Sequence, residues 1–404
     1  MEKAPKSLRL QIALMGRVNS GKSSFLNLVT GQEAAITSDI AGTTTDVVEK
    51  NQELLPLGPV TWLDTAGFGD TTELGGERLA KTRKVFDRAD IIILVLECDK
   101  IGEPEKFVLD EAEKRQTPVI KIFNKSDLCM HCGDDGICVN SLDKGGRDRV
   151  LAALKAELIK VVPEDFITPP PLLGDLVPPH GTVVMMIPLD FEAPKGRLIM
   201  PQVQAIRDAL DYNQTVIMVK EDDYLSALDN LKIPPDLVVC DSQVVDKMVA
   251  ETPAGIKCTT FSTLFARLKG DIDKFVEGAA AIKSLRDGDK VLIAESCTHH
   301  AVEDDIGRVK IPGWLRKKTG KDLQIDHVSG HDFPDNLCEY KLVIQCGGCM
   351  NNRREILSRI NKCETAGAAV TNYGICISEL KGVLGRILEP FPQALQTYLT
   401  ARTE

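Results

Sequence analysis

The chain has 404 residues, of which 43% are hydrophobic and 27% are charged, so it is long enough for more than one core and too apolar to be disordered. Its net charge of −10 argues against a broad surface for nucleic acid or an anionic membrane. The amino-terminal residues lack the pattern of a signal peptide, so we expect a cytoplasmic protein without a membrane segment, whose partners are proteins and small molecules. Twelve cysteines in a reducing compartment predict metal ligands or buried thiols rather than disulfides.

Strand-like and helix-like segments alternate along the whole chain, which predicts α/β domains with mostly parallel sheets. The first α/β domain is expected at residues 1–166. Five prolines predict a linker at residues 167–181, because proline continues neither a helix nor a central strand. A small α/β domain is expected at residues 182–265 and a third α/β domain at residues 266–404.

The segment GRVNSGKS at residues 16–23 matches the phosphate-binding pattern G-x-x-x-x-G-K-S/T between a predicted strand and a predicted helix. Backbone N–H groups of such a loop wrap the phosphates. Lys22 would neutralise the β and γ phosphates, and Ser23 would coordinate magnesium. Four further motifs follow in the order typical of GTPases: AGTTTD, DTAG, NKSD and NSLDKGG.

Asp127 of NKSD predicts the base, because a carboxylate accepts hydrogen bonds from N1–H and the exocyclic amine of guanine, whereas adenine offers an acceptor at N1. We therefore expect GTP or GDP rather than ATP. The residues predicted to bind the nucleotide are Gly16, Asn19, Ser20, Gly21, Lys22, Ser23, Ser24, Asn124, Lys125, Asp127 and Ser141.

Residues 8–160 resemble the GTPases of the TrmE/Era group through GRVNSGKSS, AGTTTD, DTAG and NKSD. The resemblance implies that Thr44 binds magnesium directly and Asp64 indirectly. It also implies that Asn19 helps to bind a stimulatory potassium ion, and the less favoured alternative is that Asn19 only caps the loop. The predicted catalytic residues are Lys22, Thr44, Asp64 and Gly67.

Phe68 follows DTAG at the position where Ras-like enzymes carry the glutamine that orients water. This difference predicts slow intrinsic hydrolysis. Glu73 or Glu77 would be able to orient the water, but each fits a solvated side chain equally well.

Cys297, Cys346 and Cys349 each come just after a predicted parallel strand, at the sheet edge where ligands of open α/β sheets gather. Gly347 and Gly348 between the paired cysteines allow a tight turn that presents N–H groups to sulfide. This pattern favours an iron–sulfur cluster over a zinc site.

Three cysteines leave one iron of a [4Fe-4S] cluster to a weaker ligand. The candidates for this fourth ligand are His299, Glu303 and Asp304. Asp304 is preferred because it would lie about two helical turns beyond Cys297.

The whole chain resembles the HydF family, the GTPases of [FeFe]-hydrogenase maturation, through PGWLRKKTG, SGHDFP, CTHH, CGGCMNNRRE and TNYGICI. The family pattern is C-x-H followed by H-C-x-x-C, and Gln345 stands in place of its second histidine. The resemblance implies a homodimer with a dimerisation module in the middle and a cluster-binding domain at the rear. It further implies a scaffold that receives a di-iron subcluster precursor from radical-SAM maturases and delivers the product to apo-[FeFe]-hydrogenase.

The alternative function is a TrmE/Era-like GTPase in RNA modification or ribosome assembly, with a structural zinc site. Such a protein requires a basic face, which this acidic composition does not favour.

The other cysteines support weaker predictions. Cys129, His131 and Cys132 have a ligand-like spacing, but they fall in a loop between two GTPase motifs. Three further cysteines lie in or beside apolar strands and are predicted to be core residues: Cys98, Cys240 and Cys258.

Overall fold

The computed structural model describes residues 5–31, 47–65, 67, 82–98, 100–129, 133, 135–189, 196–296, 305–330 and 333–403. It divides into two compact units, Met1–Pro169 and Pro170–Glu404. Within the described part of the chain, no helix is long and apolar enough to cross a membrane.

The first unit contains a six-stranded sheet. Its strands are β1 (Leu10–Met15), β2 (Val48–Leu54), β3 (Gly58–Asp64), β4 (Ile91–Glu97), β5 (Val119–Asn124) and β6 (Gly136–Cys138). The strand order is β2-β3-β1-β4-β5-β6, and β2 alone of these runs antiparallel to its neighbour. Parallel strands at the centre of a sheet are buried on both faces, and accordingly every residue of β1 is buried.

Helices cover both faces of this sheet. They are α1 (Lys22–Thr30), α2 (Glu103–Lys114), α3 (Arg147–Val161) and α4 (Glu164–Ile167). Leu10, Ile12 and Leu14 of β1 pack in one core with residues of α1 and α3, whereas Ala13 and Met15 pack in a second core with residues of α2. The alternation follows from the two-residue repeat of a strand.

The second unit contains two four-stranded sheets, all of whose strand pairs are parallel. The strands of one sheet are β7 (Thr182–Met186), β8 (Thr215–Val219), β9 (Leu237–Cys240) and β10 (Lys257–Thr260). Those of the other are β11 (Lys290–Ala294), β12 (Gln324–Val328), β13 (Leu342–Gln345) and β14 (Ala369–Asn372). Their orders are β10-β9-β7-β8 and β12-β11-β13-β14.

The helices of the second unit are α5 (Met200–Asp211), α6 (Tyr224–Asp229), α7 (Val245–Glu251), α8 (Phe261–Lys269), α9 (Ile272–Ala280), α10 (Ile311–Thr319), α11 (Arg353–Ala366), α12 (Tyr373–Leu380), α13 (Leu384–Ile387) and α14 (Pro392–Thr403). Both cores of this unit contain residues of both sheets: Met185 shares one core with Val343, and Met186 shares the other with Ile344. The two sheets therefore fold as one body. The expected domain boundary after residue 265 falls inside α8.

Residues 170–181 of the proline-rich segment belong to the second unit. Leu172, Leu173 and Val177 are buried in one of its cores. The Asp208 carboxylate accepts hydrogen bonds from the backbone N–H groups of Leu172 and Leu173 at 3.1 and 2.8 Å. The segment thus lacks regular strands but is held in place. The predicted α/β class with parallel sheets is confirmed.

Candidate functional site

The phosphate-binding loop follows β1 and leads into α1. Asn19 and Gly21 have φ values of 64° and 91°, so the chain turns tightly before the helix begins at Lys22. The buried Lys22 ammonium donates to the carbonyl oxygens of Gly16 and Arg17 at 3.0 and 2.8 Å. Burial lowers the pKa of Lys22 to about 8, against the opposing effect of the Asp64 carboxylate. The loop thus presents a cation and a helix amino terminus at one point, which suits a polyphosphate.

Asn124 joins three parts of this site. Its side-chain N–H donates to the Ser20 carbonyl at 2.8 Å, and its side-chain oxygen accepts from the Ser141 hydroxyl at 2.7 Å. Asn124 is the last residue of β5, so the sheet positions the amide that connects the phosphate loop to the loop after β6. The Lys125 ammonium pairs with Glu97 at 3.2 Å.

A cavity of about 490 Å³ opens beside these residues. Of the residues predicted to bind the nucleotide, all except Gly16 and Ser20 line it: Asn19, Gly21, Lys22, Ser23, Ser24, Asn124, Lys125, Asp127 and Ser141. Two apolar residues that were not predicted, Leu128 and Leu142, also line the cavity. They are 73% and 80% exposed. Exposed leucines that line such a cavity offer apolar surface on which the face of a base can pack.

Ser23 and Asp64 form a pair suited to magnesium. The Ser23 hydroxyl donates to Asp64 at 3.2 Å, and burial raises the pKa of Asp64 against the opposing effects of Lys22 and Ser23. The other carboxylate oxygen of Asp64 is buried and has no hydrogen-bond partner among the described residues. Hard oxygen ligands of this kind fit Mg²⁺, which also requires bound phosphate and water. Thr44, the predicted direct ligand, lies outside the described residues.

Gly67 lies against the phosphate-binding loop. A Cβ atom at this position would come within 2.5 Å of the Val18 nitrogen, so no side chain fits. Phe68, Glu73 and Glu77 lie outside the described residues.

The prediction of thiols without disulfides is wrong at one pair. Cys98 and Cys129 form a disulfide with their Cα atoms 5.6 Å apart. Cys98 is therefore not a thiol of the core, and the bonded Cys129 sulfur is not available as a metal ligand. The bond ties the end of β4 to the residues after NKSD, where the Cys98 N–H also donates to the Asn124 carbonyl at 3.1 Å. His131 and Cys132 lie outside the described residues.

In the second unit, the paired cysteines lie at the carboxyl edge of the sheet formed by β11 to β14. Ala294 at the end of β11 pairs with Gln345 at the end of β13, so the segments that follow these strands meet at this edge. The Cys346 sulfur lies 3.1 Å from the Ser296 nitrogen, which donates to it, and 3.2 Å from the Ser296 hydroxyl. Backbone donors to sulfur favour a thiolate or a sulfide at this point.

The turn between the two cysteines has the shape that its glycines predict. Gly348 has a φ of 62°, which favours glycine. Burial raises the pKa of the Cys349 thiol, and Cys346 adds to this shift.

The predicted third cysteine and the candidate fourth ligands follow β11. Cys297, His299, Glu303 and Asp304 lie outside the described residues, although Cys297 directly follows Ser296. In the described ranges, no group of three or more His, Cys, Asp or Glu side chains is arranged to hold a metal.

Two features lie beside residues 346–349, which we call the cysteine turn, and no sequence motif indicates them. The Lys269 ammonium, from the end of α8, donates to the carbonyl oxygens of Gly348 and Asn351 at 2.9 and 3.2 Å. On the strand side, the Glu295 carboxylate is only 3% exposed and accepts from the Tyr373 hydroxyl at 3.3 Å. Neither residue lies in a recognisable motif, so only the packing of distant segments reveals them.

Four of the remaining cysteines in the described regions are core residues, whereas Cys138 and Cys338 are exposed. Cys240 and Cys258 are fully buried, as predicted. Cys363 and Cys376 are buried as well, and burial raises the pKa of Cys363 to about 12. Such thiols are inert packing groups.

Comparison with known families accounts for all three segments of the chain. Residues 11–125 match a family model described as 50S ribosome-binding GTPase. Residues 172–270 match the hydrogen maturase F dimerization domain, and residues 273–390 match the hydrogen maturase F tetramerization domain. The chain is a HydF-like GTPase. It consists of a P-loop GTPase domain followed by dimerisation and tetramerisation domains. The match of the first domain to a GTPase family indicates GTP hydrolysis.

Curated relatives match this HydF-like chain in part only. The tRNA modification GTPase MnmE of Methylorubrum populi is 34% identical over 146 residues, which is 36% of this chain and 31% of that protein. GTPase Der of Nitratiruptor sp. is 31% identical over 140 residues, which is 34% of this chain and 30% of that protein. The chain thus spans about a third of the length of these relatives.

Proposed function

We propose that this chain is a GTP-hydrolysing scaffold that binds a [4Fe-4S] cluster in its second unit and carries a di-iron precursor to apo-[FeFe]-hydrogenase. The observation that carries the proposal is the pair of cysteines at the carboxyl edge of the β11–β14 sheet, in a chain with both hydrogen maturase F domains. In this proposal the di-iron precursor is the cargo, and apo-[FeFe]-hydrogenase is the protein that receives it. Radical-SAM maturases would supply the precursor.

The residues present at this edge fit an iron–sulfur cluster. Cys346 and Cys349 offer two soft ligands, a glycine turn joins them, and a backbone N–H already donates to sulfur. We infer that Cys297 provides the third thiolate and Asp304 the fourth ligand, with Glu303 and His299 as alternatives. A bound cluster would supply an iron that exchanges its weakest ligand, where a precursor can attach.

A role in RNA modification or ribosome assembly is not favoured. The net charge of −10 disfavours a nucleic-acid surface, and the matched domains after the GTPase domain are those of hydrogen maturase F. A structural zinc site would not explain why the chain carries both hydrogen maturase F domains. We accordingly infer a cytoplasmic protein that works with protein partners.

In the nucleotide site we assign Asp127 to guanine, Lys22 to the β and γ phosphates and Ser23, with Thr44, to magnesium. The basis is that Lys22, Ser23 and Asp127 line one cavity. Asp64 would hold a magnesium-bound water with its buried oxygen. Asn19, which lines the same cavity, would help to bind a potassium ion that offsets transition-state charge in place of an arginine finger.

We predict that GTP is hydrolysed faster in potassium chloride than in sodium chloride at equal ionic strength, because the site selects an ion by size. Asn19→Ala should remove the difference between the salts while GDP still binds. Lys22→Ala should reduce turnover about a hundred-fold or more in both salts. Phosphate release is the measurement, with ATP as a substrate control, and equal rates in both salts for the unaltered chain would contradict the potassium assignment.

The cluster assignment predicts that Cys346→Ser loses most iron and sulfide after anaerobic reconstitution, because a hard hydroxyl replaces a soft thiolate. Iron and sulfide analysis and the EPR spectrum of the reduced protein are the measurements. Cys338→Ser is the matched control, since Cys338 is an exposed thiol of the same unit. Wild-type iron and sulfide content in Cys346→Ser, together with normal hydrogenase maturation, would refute the assignment.

We infer that β8 forms the homodimer contact. It lies at the edge of its sheet, and an edge strand has backbone N–H and C=O groups that can pair with a second copy. Met218 of this strand is 52% exposed, and Val203 and Leu210 of α5 are 42% and 53% exposed. Together they form an apolar surface that a partner copy would cover.

Met218→Asp should therefore halve the molar mass measured by light scattering, because a buried carboxylate is costly at such an interface. GTP turnover should be retained in the variant. Ile233→Asp is the control, since Ile233 is 78% exposed and lies outside α5 and β8. An unchanged mass for Met218→Asp would place the contact elsewhere.

A further inference from the structure

A buried cation, the Lys269 ammonium, binds the backbone of the cysteine turn. Lys269 is only 4% exposed, although lysine is rarely buried without a specific partner. Its ammonium donates to the Gly348 and Asn351 carbonyl oxygens, which lie on either side of Cys349 along the chain. It also lies 5.3 Å from the centre of the Phe265 ring. No carboxylate of the described residues pairs with it in an ion pair.

A second pair of hydrogen bonds joins the same two segments, but here the donor follows the turn and the acceptors lie at the end of α8. The Arg353 guanidinium, which begins α11, donates to the Leu268 and Gly270 carbonyl oxygens at 2.8 and 3.2 Å. Lys269 therefore reaches from α8 to the turn, and Arg353 reaches from beyond the turn back to the end of α8. These paired contacts fix the turn to α8 at both of its ends.

Polar side chains next to the turn are buried and lack partners. Gln345 is 1% exposed and Asn351 is fully buried, and both amide groups have no hydrogen-bond partner among the described residues. A buried unpaired amide is costly, so such a group calls for a partner, which is commonly a water molecule, an ion or a ligand. The segment that carries Cys346 and Cys349 thus has one buried cation in contact with its backbone and two buried, unpaired amides next to these cysteines along the chain.

We propose that Lys269 is a positioning residue for the cluster: its ammonium fixes the turn between the two cysteines and places one positive charge beside their sulfurs. This inference rests on the proposed function. A cluster with thiolate ligands is anionic and gains a further negative charge on reduction, so a nearby buried cation stabilises the reduced form. Lys269 therefore raises the reduction potential of the cluster as well as its occupancy.

The test uses the full chain with Lys269→Met, which keeps the length of the side chain and removes its charge. We expect a lower midpoint potential in an EPR-monitored redox titration and a reduced iron and sulfide content. Lys269→Arg retains the charge and should keep the wild-type midpoint potential. Lys274→Met is the matched control, because Lys274 is 40% exposed and pairs with Glu364 rather than with the turn.

A second measurement needs no cluster. Hydrogen–deuterium exchange of residues 346–352 in the apo-protein should be faster in Lys269→Met than in the wild type, while exchange in β11 and GTP turnover are unchanged. If the wild type takes up no cluster, the proposed function fails, and exchange still decides whether Lys269 holds the turn. Unchanged exchange and an unchanged midpoint potential in Lys269→Met would overturn the inference. If Lys269→Met does not fold, a lowered midpoint potential in Lys269→Arg would overturn the claim about charge.

Discussion

Parallel pairing of strands is the constraint on which both functional regions depend. It brings the carboxyl ends of neighbouring strands to one edge of a sheet, and the loops that follow them meet there. In the first unit, the loop after β1 and the loop after β6 meet at the Asn124 amide, at the end of β5. In the second unit, the segments after β11 and β13 meet through Ser296 and Cys346. The buried apolar strands thus fix where polar chemistry can occur.

At each of these edges a buried lysine holds a glycine-containing turn by its carbonyl oxygens. Lys22 donates to the carbonyl oxygens of Gly16 and Arg17 in the phosphate loop. Lys269 donates to the carbonyl oxygens of Gly348 in the cysteine turn and of Asn351 just after it. Burial lowers the pKa of both lysines to about 8. Both turns present backbone N–H groups and a positive charge, which suits phosphate in one case and an anionic cluster in the other.

The sequence was sufficient for features that are local along the chain. The alternation of strands and helices predicted the α/β class, and GRVNSGKS and NKSD predicted loops that line one cavity, because each motif is continuous. CGGC predicted a turn at the carboxyl edge of a sheet, and its role in binding a cluster stays a prediction. Features made by distant segments were not predicted. Lys269 contacts a residue 79 positions away, and Cys98 bonds to Cys129 across 31 positions. An ordinary lysine in an amphipathic helix and two separated cysteines give no pattern, since only packing decides their partners.

The central claim is that the carboxyl edge of the β11–β14 sheet binds an iron–sulfur cluster. The most direct measurement is Mössbauer spectroscopy of the full chain after anaerobic reconstitution with ⁵⁷Fe and sulfide. The account predicts quadrupole doublets of a [4Fe-4S] cluster in which one iron differs from the other three, because three thiolates leave one iron with another ligand. Spectra of high-spin ferrous ions without sulfide bridges, or no bound iron, would contradict it.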